Sequence, residues 1–127
     1  MEAEAVLSIL AMADAKTLEL ASSDIIEEEI AQIPDDERRG KVELLLGSIV
    51  KHVALTARIE QRATELQTWN IPLFDALHLA SAEAAGADFF LTTDDNLLRR
   101  SIRCIGRLKV KVENPVKWLI QESMDEN

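Results

Sequence analysis

The stretch from Asn70 to Arg100, NIPLFDALHLASAEAAGADFFLTTDDNLLRR, constrains the fold more than any other part of the chain, because it sets acidic residues at matching ends of a helix and a strand. Pro72 sets the approach, and Asp75 opens a helix in which Ala76, Leu77, Leu79, Ala80, Ala82, Ala84 and Ala85 are apolar on nearly every side. Such a helix is expected to be buried. Its small side chains let the backbone lie close against a sheet, and Gly86 is a natural stop just past the last turn. Phe89, Phe90 and Leu91 make a short continuous apolar run, read as a strand covered on both faces and hence as parallel-sheet material. A helix of about eleven residues at roughly 1.5 Å each returns about as far as a strand of about five at roughly 3.3 Å each. Asp75 and Asp94 are therefore expected on one edge of the sheet, where open α/β folds place their ligand sites. Two carboxylates brought together there repel unless a cation or a shared proton offsets them, and all-oxygen ligation suits magnesium or manganese.

The 127 residues suit one compact domain, 1–127, and 47% hydrophobic residues are enough for a core. No apolar run approaches a membrane span and no basic-then-apolar leader opens the chain, so a soluble cytoplasmic protein with no membrane role is expected. Cys104 stands alone, which excludes an internal disulfide and a cysteine-based zinc site and leaves it a packing role. A net charge of −9 argues against nucleic-acid binding through the overall field. That charge is unevenly spread. Asp24, Glu27, Glu28, Glu29, Asp35, Asp36 and Glu37 crowd one stretch, whereas Arg99, Arg100, Arg103, Arg107, Lys109 and Lys111 follow one another with no acid between them. The basic flank offers a local track for phosphates, or equally a solvated surface with ordinary charge pairing.

Taken in order, Val6, Leu7, Ile9, Leu10 and Met12 predict an amphipathic helix from Glu2 to about Ala13, and Leu18 to Ala21 a short strand. Ser22 or Ser23 suits the cap of a following helix, with Glu27 to Glu29 in its early turns, where the macrodipole favours negative charge. Because that helix starts at the carboxyl end of a strand, Glu29 falls near the same edge as Asp75 and Asp94. Pro34 closes it, and Asp35 and Asp36 start a third helix. His52 to Ala54 is open between strand and loop. Thr56 caps a helix with Ile59, Ala63 and Leu66 inward, ending before Asn70. Asp95 to Arg100 predicts a short helix, Leu108 to Val112 a strand, and Pro115 to Glu122 a last helix with Val116, Leu119 and Ile120 inward. Strands alternating with helices imply an α/β fold with a parallel β-sheet flanked by helices.

Three segments, Asp75-Ala76-Leu77-His78-Leu79-Ala80, Gly86-Ala87-Asp88 and Phe90-Leu91-Thr92-Thr93-Asp94, resemble the PIN-domain family of metal-dependent ribonucleases, best known as VapC-type toxins of bacterial toxin-antitoxin pairs. Ser23 to Ile30 resembles the family's segment ending in a glutamate, which falls on Glu29. The resemblance implies that Glu29, Asp75 and Asp94 hold one or two Mg2+ or Mn2+ ions that activate water against an RNA phosphodiester. It implies a small antitoxin protein and a homodimer as partners, with Thr92 and Asn96 near the cluster and Arg99 and Arg100 near the RNA backbone. Family members begin with a strand ending in a metal-binding aspartate, and this sequence starts with a helix instead. The usual first central strand is thus expected to be missing, through a cut in a longer protein rather than loss of the ligand, and catalysis is expected to be weak or absent.

Each residue also has an ordinary reading. Asp75 serves as a helix cap, Glu29 as a solvated helix residue beside Glu27 and Glu28, and Asp94 as the cap of the next helix, a role Asp95 shares. His78 lacks a second histidine or cysteine spaced to join it on zinc and reads as structural. Trp69 and Trp118 are expected to pack their rings and reach water with the N–H. Against the endoribonuclease stand a non-catalytic PIN-like interaction module and, less favoured, a phosphatase-like or receiver-like protein, which would need a nucleophilic aspartate ending a first strand.

Overall fold

The structure, a computed structural model, describes residues 21–23, 31–45 and 51–125. Within them the order is β1 (Ala21–Ser23), α1 (Asp36–Leu45), β2 (Lys51–Val53), α2 (Ala57–Gln67), α3 (Leu73–Ala84), β3 (Phe89–Leu91), α4 (Asp95–Arg103), β4 (Lys111–Glu113) and α5 (Pro115–Asp125). The expected helix over Glu2 to Ala13, and that carrying Glu29, fall outside the described residues.

Alternation of helix and strand gives parallel pairing, as expected, because each helix returns the chain before the next strand starts. β1 pairs with β2 in the register Ala21 to Lys51, and β3 with β4 in the register Phe89 to Lys111. Among the described residues these are two separate two-stranded parallel pairs. Helix α3 touches both β1 and β3. Ser22 and Ser23 belong to β1 and His52 and Val53 to β2, so the segment left open in the sequence is a strand.

The core is built where the helical apolar stripes meet. Ile59, Ala63 and Leu66 of α2 face Ala76, Leu79 and Ala80 of α3, with Ile71, Leu97, Cys104 and Val110 closing the cluster. Thr56 caps α2 as expected, its Oγ1 accepting from the Ile59 N–H at 3.2 Å. Asp35 does the same for α1, its Oδ1 accepting from the Glu37 N–H at 3.0 Å. Cys104 is buried, its thiol donating to the Trp69 carbonyl at 3.7 Å. Gly86 follows α3 at φ +71°, the left-handed conformation for which glycine is suited.

Several expectations need correction. β3 is half-buried at all three positions rather than covered on both faces, and among the described residues it pairs with β4. β4 begins at Lys111, later than predicted, because residues 104–110 are spent on a turn through Gly106. Ile120 is 54% exposed, and Trp118 takes the inward position on α5 instead. The Trp118 ring packs edge-on against Phe89, and its N–H is buried with no acceptor rather than reaching water. No described helix is long and apolar enough to cross a membrane.

Candidate functional site

Helix α3 starts at Leu73, two residues before the sequence suggests, with Pro72 at its cap position and no side-chain cap bond. Pro72 supplies a fixed φ there, and its carbonyl accepts from the Ala76 N–H at 2.8 Å. Asp75 is therefore not the cap but a half-buried first-turn residue, where the unsatisfied N–H groups and the macrodipole stabilise a negative charge. His78, one turn on, is buried with its ring 5.9 Å from that of Phe90, so it belongs to the seam between α3 and β3.

Asp94 stands where β3 has ended and α4 begins. The chain leaves Leu91 still tied to the sheet, because the Thr92 N–H donates to the Glu113 carbonyl at 3.0 Å. Thr92 Oγ1 then accepts from the Asp94 N–H at 3.1 Å, fixing the bend. Asp94 caps α4, its Oδ1 accepting from the N–H groups of Asn96 at 2.9 Å and Leu97 at 3.3 Å. The ordinary reading of Asp94 is thus correct, and it is compatible with the functional one. Two donors hold one carboxylate oxygen of this exposed residue, and among the described residues Oδ2 accepts no hydrogen bond. Asp95 is the first residue of α4.

Between them, α3 climbs away from Asp75 and the chain from Phe89 to Asp94 descends again. On rise alone, the ten helical residues from Asp75 to Ala84 at roughly 1.5 Å each compare with about six residues from Phe89 to Asp94 at up to roughly 3.3 Å each. Glu29 lies outside the described residues. Among the described residues no group of three acidic, histidine or cysteine side chains is placed to hold one metal ion. The donor chemistry nonetheless fits a hard divalent cation, since Asp75 and Asp94 offer carboxylate oxygens, while Cys104 and His78 are buried in packing. A groove of about 220 Å³ lies elsewhere, lined by Glu113, Lys117, Ile120, Gln121 and Met124, and includes neither aspartate.

The PIN domain family matches residues 2–102 of the chain. This chain belongs to the PIN domain family. No curated protein and no solved structure matches it. The PIN match embraces α1 to α4 and ends before β4 and α5. PIN domains are in general nucleases that bind nucleic acid and depend on a divalent metal, which places this chain in a nuclease-type class.

Sequence reasoning passed over two residues of this PIN domain. Phe74, next to Asp75, is 63% exposed although it lies in a helix read as apolar all round. Glu113 ends β4 level with Leu91, a carboxylate at the same sheet edge, and its Oε1 accepts from the Asn114 N–H at 2.9 Å.

Proposed function

We propose that this PIN domain is an endoribonuclease in which Glu29, Asp75 and Asp94 hold one or two Mg2+ or Mn2+ ions, and that it acts in the cytoplasm as a VapC-type toxin, paired as a homodimer and restrained by a small antitoxin protein. What supports it is an aspartate in the first turn of α3 and a second, held by backbone N–H groups, at the junction of β3 and α4. The Asp94 carboxylate is set by its two N–H donors, so it meets a cation without losing rotamer freedom at that moment. Asp75 is half-buried in the first turn of a helix, where the macrodipole favours negative charge. Thr92 holds the turn that aims Asp94. A bound divalent ion lowers the pKa of a water ligand and stabilises charge on phosphoryl oxygens.

The proposal includes a further parallel strand ending in another carboxylate. What supports it is that β1 and β3 both touch α3, yet among the described residues their two pairs share no hydrogen bonds. A strand seated between them would satisfy the backbone groups on both inner edges.

Titration calorimetry with Mg2+ and Mn2+, alongside cleavage of single-stranded RNA, tests this reading. Binding that disappears in Asp75→Asn and in Asp94→Asn supports it. A second reading is a non-catalytic interaction module on the same fold. Absence of metal binding both in this chain and in a version extended by an N-terminal strand with an aspartate would establish the module and end the nuclease proposal.

A further inference from the structure

The groove of about 220 Å³ at the junction of β4 and α5 is lined by an acid and a base that are not joined to each other. Glu113 ends β4, and Lys117, Ile120, Gln121 and Met124 line the groove from α5. The junction is held by bonds. Glu113 Oε1 accepts from the Asn114 N–H at 2.9 Å, and Asn114 Oδ1 accepts from the N–H groups of Val116 at 2.8 Å and Lys117 at 3.4 Å. The groove is also tied to the acidic edge, because the Thr92 N–H donates to the Glu113 carbonyl at 3.0 Å. Asp94 follows Thr92 by two residues, so their Cα atoms are at most about 7 Å apart. The family match ends at residue 102, and all five groove residues lie beyond it.

These side chains select their occupant. The Glu113 carboxylate only accepts hydrogen bonds, and each of its oxygens takes two; the Lys117 ammonium only donates. Ile120 and Met124, 54% and 71% exposed, add apolar surface, and a methionine thioether packs well on an aromatic ring. The fitting ligand is therefore a flat apolar body with two donors and an acceptor side by side on one edge. Guanine has that edge, with the 2-amino group and N1–H as donors and O6 as the acceptor next to them. Adenine and cytosine each carry one donor group there, and uracil one donor between two acceptors. An arginine from a partner protein would satisfy Glu113 but meet Lys117 as a like charge.

We infer that this groove is a base-specificity pocket, holding one unpaired guanine of an RNA strand that passes the acidic edge, with Glu113 accepting from N1–H and the 2-amino group and Lys117 donating to O6. This rests on the nuclease reading of that edge and adds to it a choice of sequence. Unpaired bases of single-stranded RNA are read in this way, by hydrogen bonds to the edge that a duplex would hide. A pocket built to pair donors discriminates well, because a base lacking them leaves the carboxylate unpaired.

The test has two arms, both on the full chain in EDTA. EDTA removes cleavage and metal from the readout, so a failed metal titration and a failed pocket are separate results. Nitrogen-15 NMR titration with guanosine, adenosine, cytidine and uridine monophosphates reads the pocket alone. Guanosine monophosphate is expected to shift the amides of Glu113, Lys117 and Gln121, and the other three to leave them in place. Fluorescence anisotropy then uses labelled oligouridine of about twelve nucleotides carrying one central guanosine, inosine or adenosine. The guanosine strand is expected to bind about five-fold or more tighter than the adenosine strand, with inosine, which lacks the 2-amino group, between them. Glu113→Gln keeps an acceptor for the Asn114 N–H and is expected to erase that preference while leaving plain oligouridine binding unchanged. Lys117→Met is a second variant expected to reduce the preference, and Glu122→Gln, on α5 outside the groove, to retain it. No shifts, or equal shifts with all the monophosphates, would overturn the inference, as would a preference that survives Glu113→Gln or a loss that falls equally on oligouridine. Shifts with guanosine monophosphate but no guanosine preference in RNA would overturn it in favour of a free-nucleotide site.

Discussion

Replacing Arg62 by Met should destabilise the domain more than any other single charge removal among the described residues, because it strands a buried carboxylate. Glu83 on α3 has a side chain only 5% exposed. It accepts from Arg62 Nε at 2.7 Å and Nη2 at 3.1 Å, and from the Lys109 N–H at 2.7 Å. Arg62, 19% exposed, also donates to Glu65 at 2.6 Å and to the Arg107 carbonyl at 2.8 Å, and lies 5.3 Å from the centroid of the Trp69 ring. The guanidinium thus ties α2 to α3 and to the turn before β4. With Met at 62 the Glu83 charge keeps a single donor, and breaking a buried pair in this way costs about 3–5 kcal/mol. The exposed Glu65 contact adds little. Glu83→Leu leaves the arginine with water, Glu65 and a carbonyl, so its cost is lower, about 1–3 kcal/mol. The double variant Arg62→Met/Glu83→Leu buries no charge and should lie within about 2 kcal/mol of the parent. Urea unfolding followed by circular dichroism measures all four proteins, with the slope on denaturant unchanged if the unfolded state is the same. The expected coupling is about 2–3 kcal/mol or more. Additive costs, or an Arg62→Met loss below about 1 kcal/mol, would refute the account of Glu83 as a charge held by Arg62. The pH dependence has a definite sign. The Glu83 hydrogen bonds raise the Arg62 pKa above its already high ordinary value, burial opposes them as the next-largest effect, and the charges of Glu83 and Glu65 add smaller raises. A raised basic pKa gives stability that is fully present below the unfolded value and is lost only as pH rises through the folded one. From about pH 6 to pH 9 the Arg62 contribution should therefore be flat.

Leu66 is fully buried between α2 and α3, and Leu66→Ala should cost about 3–5 kcal/mol in the same urea experiment. Gly106 holds φ +90° in the turn before β4, and Gly106→Ala should lower stability by about 1–2 kcal/mol through backbone strain alone, since a Cβ there meets nothing within 4 Å. Asp94→Ala removes an N-cap and should cost about 1 kcal/mol, whereas Asp94→Asn keeps the acceptor and should cost less. Both abolish the anionic oxygen, so equal loss of Mg2+ binding with unequal loss of stability separates the two roles of that residue.

The parts of this fold that could be read in advance are those whose signals are local. Thr56 three residues before Ile59, the Ile59, Ala63 and Leu66 stripe, Gly86 after an apolar helix, and the Phe89 to Leu91 run each state a structure within a few residues. The strands of the other pair do not. Ala21–Ser23 and Lys51–Val53 are too short to show a period of two, and each exists because the other is thirty residues away. A lysine and a histidine in β2 have no apolar alternation to announce them, and so that segment reads equally as loop.

The same limit applies to the site. For the expected meeting of Asp75 and Asp94 the sequence offers a constraint, because one helix and one strand of known rise connect them. Glu29 has no such constraint, since Glu27 and Glu28 stand beside it and only the angle of a helix separates the three. The Arg62 and Glu83 pair, 21 residues apart, shows the general reason. Its partners are chosen by how α2 lies along α3, a relation that neither helix encodes alone, and a charge on a helix flank looks solvated until its neighbour arrives. Exposure of Phe74 is a relation of the same kind, because α2, β1 and β3 pack against α3 and bury Ala76 while Phe74, two residues earlier, stays 63% exposed.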